Sequence, residues 1–314
     1  MKLLLLTSLL FSLFSAFGNN DTIRLADPTV FFHEGTYYLY GTGGADGFLV
    51  YTSKDLQSWS GPAGVNNGYA LLKGQAYGTQ GFWAPQVFYY KNKFYMAYTA
   101  NEHIAIAESN NPLGPFVQKE LAALPAPVKQ IDPFVFIDDD GKKYLYHVRL
   151  QEGNRIFVAQ LKDDFSGIED STLKECIHAT ALWENTASAP WPVTEGPSIL
   201  KHKGLYYLIY SANDFRNINY AVGYATSKSP YGPWEKSADN PFLSLNNLHY
   251  NGTGHGDFVK DSKGKLNYVF HAHASDQKVS PRITAIVESS FTKNGDSADV
   301  ITIQPNTFRF LLKK

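Results

Sequence analysis

Three carboxylates stand in nearly the same setting along this chain: Asp27 in "ADPT", Asp132 in "IDPF" and Glu195 in "TEGP", each just ahead of a proline. Carboxylates do their chemistry best when they are brought together. Like charges a few ångströms apart raise one another's pKa, so one group can stay protonated near neutral pH while another stays ionised. A set divided in this way can protonate a leaving oxygen and activate water, which is what cleavage of a glycosidic bond requires. One Asp-Pro by itself implies nothing of the kind, because an aspartate before proline commonly accepts backbone N–H bonds at a strand-entry turn. The chemistry therefore depends on whether the chain gathers these three residues.

The segments that follow them decide the matter. "DPTVFFHEGTYYLYGT" from Asp27, "APQVFYYKNKFYMAYTA" from Ala84, "DPFVFIDDDGKKYLYHV" from Asp132, "EGPSILKHKGLYYLIYSA" from Glu195 and "HGDFVKDSKGKLNYVFHAH" from His255 share one pattern. Each is a short apolar strand, a turn centred on Gly or Asn-Lys, and a strand of alternating aromatics, which is a β-hairpin signature. A third strand follows each hairpin, in "FLVYTSKD", "IAIAESNN", "IFVAQLKD", "VGYATSKS" and "TAIVESSF". Successive starts lie 48 to 63 residues apart. A strand-rich repeat of that period, without helical periodicity, predicts an all-β, five-bladed β-propeller built as a single domain. In a propeller the innermost strands line a central channel. Asp27, Trp83, Asp132, Glu195 and His255 should therefore converge on one mouth of it, with Trp83 and Phe82 offering flat apolar faces for a sugar ring.

The bulk properties agree with an uncharged partner. The 314 residues carry a net charge of −1, with 18% charged and 15% aromatic residues. That balance gives no electrostatic reason to expect nucleic acid or an anionic membrane, and it is far from the composition of a disordered chain. Residues 1–18, "MKLLLLTSLLFSLFSAFG", combine an early lysine, an apolar run and small residues at the end. They read as a secretory signal peptide, which places the remaining domain, 19–314, in a secreted or periplasmic setting with no membrane association after cleavage. Cys176 is the sole cysteine, so no intramolecular disulfide and no cysteine metal cluster can form. "DDDGK" at 138–142 starts like a calcium loop but lacks its later ligands, and reads as a hairpin turn.

Taken in order, "ADPTVFF", "WAPQVF", "IDPFVF", "TEGPSI" and "GHGDFV" resemble the blade starts of glycoside hydrolase family 43. The resemblance runs from about residue 24 to Arg282. It implies an inverting hydrolase of plant-type or related glycans, acting on an oligosaccharide or polysaccharide. Carried over to matching positions, Asp27 is the general base, Glu195 the general acid, and Asp132 orients the acid and tunes its pKa. Trp83, Phe82, His255 and Arg282 are the implied substrate-binding residues. His271 and His273, alternate residues of one strand, share a face that could meet the channel. No cofactor is required for this chemistry; some relatives hold a calcium ion in the channel, for which His255 is the candidate neighbour. An exo-acting α-L-arabinofuranosidase or β-xylosidase is the leading expectation. Alternatives are an endo-arabinanase, a galactan-directed exo-hydrolase, or a non-catalytic carbohydrate-binding propeller. Loops 43–48, 66–82 and 213–220 are expected to set specificity. The retaining fructan-cleaving propellers need an Asn-Asp-Pro-Asn start and a Glu-Cys acid motif, which "ADPT" and "TEGP" do not match.

Overall fold

The computed structural model of the chain describes residues 21–295 and 297–314; the signal-peptide expectation at 1–18 lies outside them. Five sheets, antiparallel but for one short parallel pairing, follow one another along the chain, joined by loops and short helical turns. Their inner strands are Ala26–His33, Trp83–Tyr90, Gln130–Ile137, Thr194–His202 and Gly254–Lys260. Each is hydrogen-bonded to a second strand and that to a third: Thr36–Thr42 and Gly47–Ser53 in the first blade, Lys93–Ala100 and His103–Ser109 in the second. The remaining blades repeat this order, and four of the five carry at least one further strand. The molecule is a five-bladed β-propeller.

The apolar run of each second strand explains why the blades stack. In "YYLIY" of the fourth blade, Tyr206, Leu208 and Tyr210 pack towards the third blade, while Tyr207 and Ile209 pack towards the fifth. Side chains alternate across a strand, so a strand between two neighbours must be apolar on both faces. The core accordingly divides into five clusters, one at each blade interface. Several of its buried tyrosines bond their hydroxyls to carbonyls: Tyr98 donates to that of Tyr77 (2.7 Å), Tyr146 to that of Pro230 (2.7 Å) and Tyr207 to that of Asp299 (2.9 Å). Truncating such a buried ring to alanine costs about 3–5 kcal/mol.

The ring closes through both ends of the described chain. Leu312–Lys313 pairs in parallel with the outer strand Ser58–Ser60 of the first blade. Ile23 donates its N–H to the Leu311 carbonyl (2.9 Å) and accepts that of Thr284 (3.0 Å). The fifth blade is thereby tied to the first, which fixes Arg282 of one against Asp27 of the other.

Candidate active site

Every inner strand begins with the same distortion. Its pairing register breaks between Ala26 and Thr29, Trp83 and Gln86, Glu195 and Ser198, and Gly254 and Asp257, and opposite Tyr146–Val148 in the third blade. At each break one residue takes a left-handed φ: Asp27 (47°), Ala84 (45°), Asp132 (54°), Gly196 (59°) and His255 (40°). A bulge of this kind bends the strand and re-aims a side chain, here at the channel mouth. Four of the five residues are not glycine, and each such φ costs of order 1–3 kcal/mol.

Hydrogen bonds between blades hold these bulges. The N–H of Ala84 donates to Thr42 Oγ1 (2.8 Å), that of Asp132 to Thr99 Oγ1 (2.9 Å) and that of His255 to Ser211 Oγ (2.8 Å); that of Asp27 faces His271 Nδ1 (3.1 Å). All four acceptors occupy the same register position on the second strand of the preceding blade. In the third blade that position is Val148, which has no acceptor. The Gly196 N–H instead donates to Asp132 Oδ2 (3.1 Å). The Asp132 carboxylate thus holds the turn that carries Glu195.

The three carboxyls share one cavity of about 370 Å³, lined also by Trp83, His255 and Arg282. Asp27 Oδ1 is 3.0 Å from Arg282 Nη1, and Thr42 donates to Asp27 Oδ2 (2.7 Å). Burial opposes ionisation of Asp27, but Arg282, His255, His271 and the Thr42 bond together hold its carboxyl well below the usual carboxylate range. Glu195 behaves in the opposite way. Burial pushes its pKa up to about 7, with the Asp27 charge helping and the bonds from Tyr220 and Asn154 opposing. Tyr220 donates its hydroxyl to Glu195 Oε1 and Asn154 its amide to Oε2, both at 2.9 Å. Burial, then Glu195 and Asp27, also push Asp132 well above the usual range. Arg282 is the sole lysine or arginine lining the cavity among the described residues. Burial also lowers the pKa of His255 and His271, so neither ring adds a lasting positive charge near neutrality. Three carboxyls facing one guanidinium retain a proton within the Asp132–Glu195 pair.

The arrangement is therefore one ionised and one proton-holding carboxyl in a single sugar-sized cavity. Residues 22–296 match the family described as Glycosyl hydrolases family 43. The chain belongs to that family. As a family 43 member it is an inverting glycoside hydrolase. It is 42% identical to a solved structure described as endo-1,4-beta-xylanase from Bacteroides thetaiotaomicron VPI-5482, with a TM-score of 0.86 over 94% of this chain and 99% of that one. It is also 25% identical to the beta-D-galactofuranosidase xynD of Aspergillus niger over 89% of this chain and 83% of the relative. Against the xylosidase/arabinosidase 43A of Humicola insolens it is 27% identical over 68% of this chain and 78% of the relative.

The placement of the remaining family 43 candidates is mixed. Trp83, 39% exposed, His255 and Arg282 line the cavity. Phe82 does not: it is 3% exposed and packs on Phe48 and Tyr98 between the first two blades. Consecutive residues of an extended chain point to opposite sides, so Phe82 and Trp83 cannot both face the mouth. The expectation of a sugar-binding Phe82 is corrected on that ground. His271 is fully buried, with Nε2 3.1 Å from Arg282 Nη1, and His273 contacts the Phe215 carbonyl (2.8 Å). Of the three loops expected to set specificity, only 213–220 supplies cavity side chains, Asp214 and Phe215. The Phe215 ring covers the Arg282 guanidinium at 4.5 Å.

For a channel cation the residues fit poorly. Among the described residues no group of three or more His, Cys, Asp or Glu could hold a metal ion. The channel below the cavity, lined by Thr29, Gln86 and Asp257 among others, has room for only about 20 Å³. Gly196 N–H already bonds Asp132 Oδ2 and Arg282 already pairs with Asp27 Oδ1, and calcium takes six to eight oxygen ligands. Hydrolysis by a pair of carboxyls needs no ion.

Gly196 offers a local test. A Cβ there would lie 2.7 Å from His255 Cγ on a residue already at φ +59°. Gly196→Ala is expected to destabilise the fold by about 1–3 kcal/mol and to displace His255. Urea unfolding and activity measured together check both effects.

Proposed function

We propose that the protein is an exo-acting pentosidase, an α-L-arabinofuranosidase or β-xylosidase, in which Asp27 is the general base and Glu195 the general acid. The observation that carries the reading is the division of charge within one cavity. Asp27 is held ionised by Arg282, while Glu195, with a pKa of about 7, can hold a proton near neutral pH. In the inverting reaction, Asp27 takes a proton from water as its oxygen attacks the anomeric carbon. Glu195 gives its proton to the departing glycosidic oxygen. Asp132 positions this acid through the Gly196 N–H, and its own carboxyl is pushed well above the usual range by burial and by Glu195. A cavity of about 370 Å³ is at the small end for ligand sites, roughly 300–1,000 Å³. That size suits a terminal sugar and part of the next, which supports exo action. Export to a secreted or periplasmic location belongs to the same proposal, since polymeric glycans lie outside the cell; it rests on the pattern of residues 1–18.

A second reading has one observation in its favour. The structure with 42% identity is described as an endo-1,4-beta-xylanase. Nitrophenol release from aryl α-L-arabinofuranoside, β-D-xyloside and β-D-galactofuranoside, run beside hydrolysis of xylan and arabinan, separates the two. Turnover of an aryl pentoside, with single sugars released from polymer ends, is the expected result. Mid-chain cleavage without aryl glycoside turnover would replace exo by endo action.

The pH profile follows from the same charges. The working enzyme needs Asp27 ionised and Glu195 protonated. As pH rises through about 7, the acid loses its proton and kcat/KM should fall. On the acid side the fall should begin only below the usual carboxylate range, because Asp27 is held down there. A kcat/KM profile from pH 3 to 10 tests both expectations: no loss at the acid end and a fall through about 7. A profile still flat at pH 9 would remove Glu195 from the acid's role.

A further inference from the structure

Trp191 stands at the cavity rim, 48% exposed, on the segment that leads into Glu195. An exposed indole beside a site is ordinarily free to turn, but this one is tied. Its Nε1–H donates to Asn154 Oδ1 (2.9 Å), and Asn154 Nδ2 donates to Glu195 Oε2 (2.9 Å). Asn154 itself is nine-tenths buried, with its N–H on the Pro192 carbonyl (2.9 Å) and its own carbonyl accepting from Thr194 Oγ1 (3.0 Å). Two blades, the third through Asn154 and the fourth through residues 191–195, are locked together at this point.

The chemistry of the link runs in one direction. An indole N–H can only donate, so it selects the amide rotamer of Asn154 in which the oxygen faces Trp191. The NH₂ group then has to face Glu195. Were the amide to turn over, its oxygen would face the carboxyl, favouring the protonated acid and resisting its conversion to carboxylate.

We propose that Trp191 is the platform for the sugar on the leaving-group side, and that Asn154 is a positioning residue which couples that platform to the orientation of Glu195. The proposal rests on the hydrolase reading, in which Glu195 serves the departing oxygen. The sugar attached through that oxygen must lie beside Glu195 and away from Asp27, which puts it over Trp191. With its N–H bonded to Asn154, the ring keeps its face for stacking and loses little side-chain freedom when a sugar settles on it.

The test uses the full-length enzyme and xylotetraose and arabinotetraose as probes, with xylose and arabinose as inhibitors. Trp191→Ala should raise KM for the tetraose that the enzyme cleaves by about tenfold, while inhibition by the matching monosaccharide stays unchanged. Trp191→Phe keeps a flat ring but loses the N–H. It should hold KM within about threefold yet move the alkaline limb of kcat/KM to higher pH, by about 0.5–1, the worth of one hydrogen bond donated to the carboxylate. Asn154→Ala should move that limb the same way, with KM raised no more than about threefold because the Trp191 ring stays but is no longer tied. A KM for Trp191→Ala within threefold of wild type overturns the platform, as does an equal weakening of monosaccharide inhibition. An unmoved alkaline limb in both Trp191→Phe and Asn154→Ala overturns the coupling. A wild-type enzyme inactive on both tetraoses and on the aryl glycosides overturns the exo-pentosidase reading itself, and the platform with it. Wild-type turnover therefore tells the two failures apart.

Discussion

Glu195→Gln should lower kcat on an unactivated oligosaccharide by about 10²–10⁴-fold, the usual contribution of a positioned general acid. Glutamine keeps the size of the side chain and can still meet Tyr220 and Asn154, but it has no proton to give. The loss should depend on the leaving group. A nitrophenolate departs without much protonation, so the variant should retain far more of its activity on an aryl glycoside than on a tetraose. The alkaline limb near pH 7 should vanish along with the acid that causes it. Circular dichroism and monosaccharide binding should match wild type. Equal losses on both substrates, with the alkaline limb still present, would assign the proton to another group, and Asp132 would be the first to consider.

The fold was legible because propeller packing leaves its mark on every blade. A second strand such as "YYLIY" is apolar at successive positions, not alternate ones, since both of its faces meet a neighbour. Repeated five times behind a turn, that pattern suits a ring of stacked blades and few architectures besides. The closure of the ring was not legible. Leu312–Lys313 is a two-residue strand whose partner, Ser58–Ser60, lies on the first blade, and no local pattern in so short a piece announces a parallel pairing.

The site was legible only where its residues build the turn they stand in. Asp27 and Asp132 occupy the left-handed bulge position and are followed by proline, so their setting is written next to them. Glu195 sits one residue earlier, ahead of Gly196, and still carries the same signature. Asn154 and Tyr220 reach Glu195 from 41 and 25 residues away. Nothing in "NRIF" or "NINY" distinguishes a residue that touches a carboxyl from one that faces solvent. Thr42, Thr99 and Ser211 look like ordinary strand residues, and Val148 gains its meaning only as the one position in that series that cannot accept a hydrogen bond. The role of the Asp132 carboxylate in filling that gap is a property of register between blades, which a single sequence does not display.

Asp27→Asn should produce a loss of similar size to that of Glu195→Gln, about 10²–10⁴-fold, with the opposite chemical signature. The variant keeps its acid, so an aryl leaving group should not soften the defect. It has lost the group that removes a proton from water, so a nucleophile that needs no deprotonation should restore turnover. Added azide can attack the anomeric carbon directly as the glycosidic oxygen leaves with the proton of Glu195, giving a glycosyl azide of inverted configuration. The remaining limb of the pH profile should move as well. The negative charge of Asp27 raises the pKa of Glu195, so neutralising it lets Glu195 lose its proton more easily, and the alkaline limb should shift to lower pH. Arg282, deprived of its carboxylate, keeps its charge and pulls in the same direction. Product configuration is read by NMR on the first-formed azide, and the limb by kcat/KM on the azide reaction. An Asp27→Asn enzyme within tenfold of wild type, or one that azide leaves inactive while it still binds monosaccharide, would take the base's role away from Asp27.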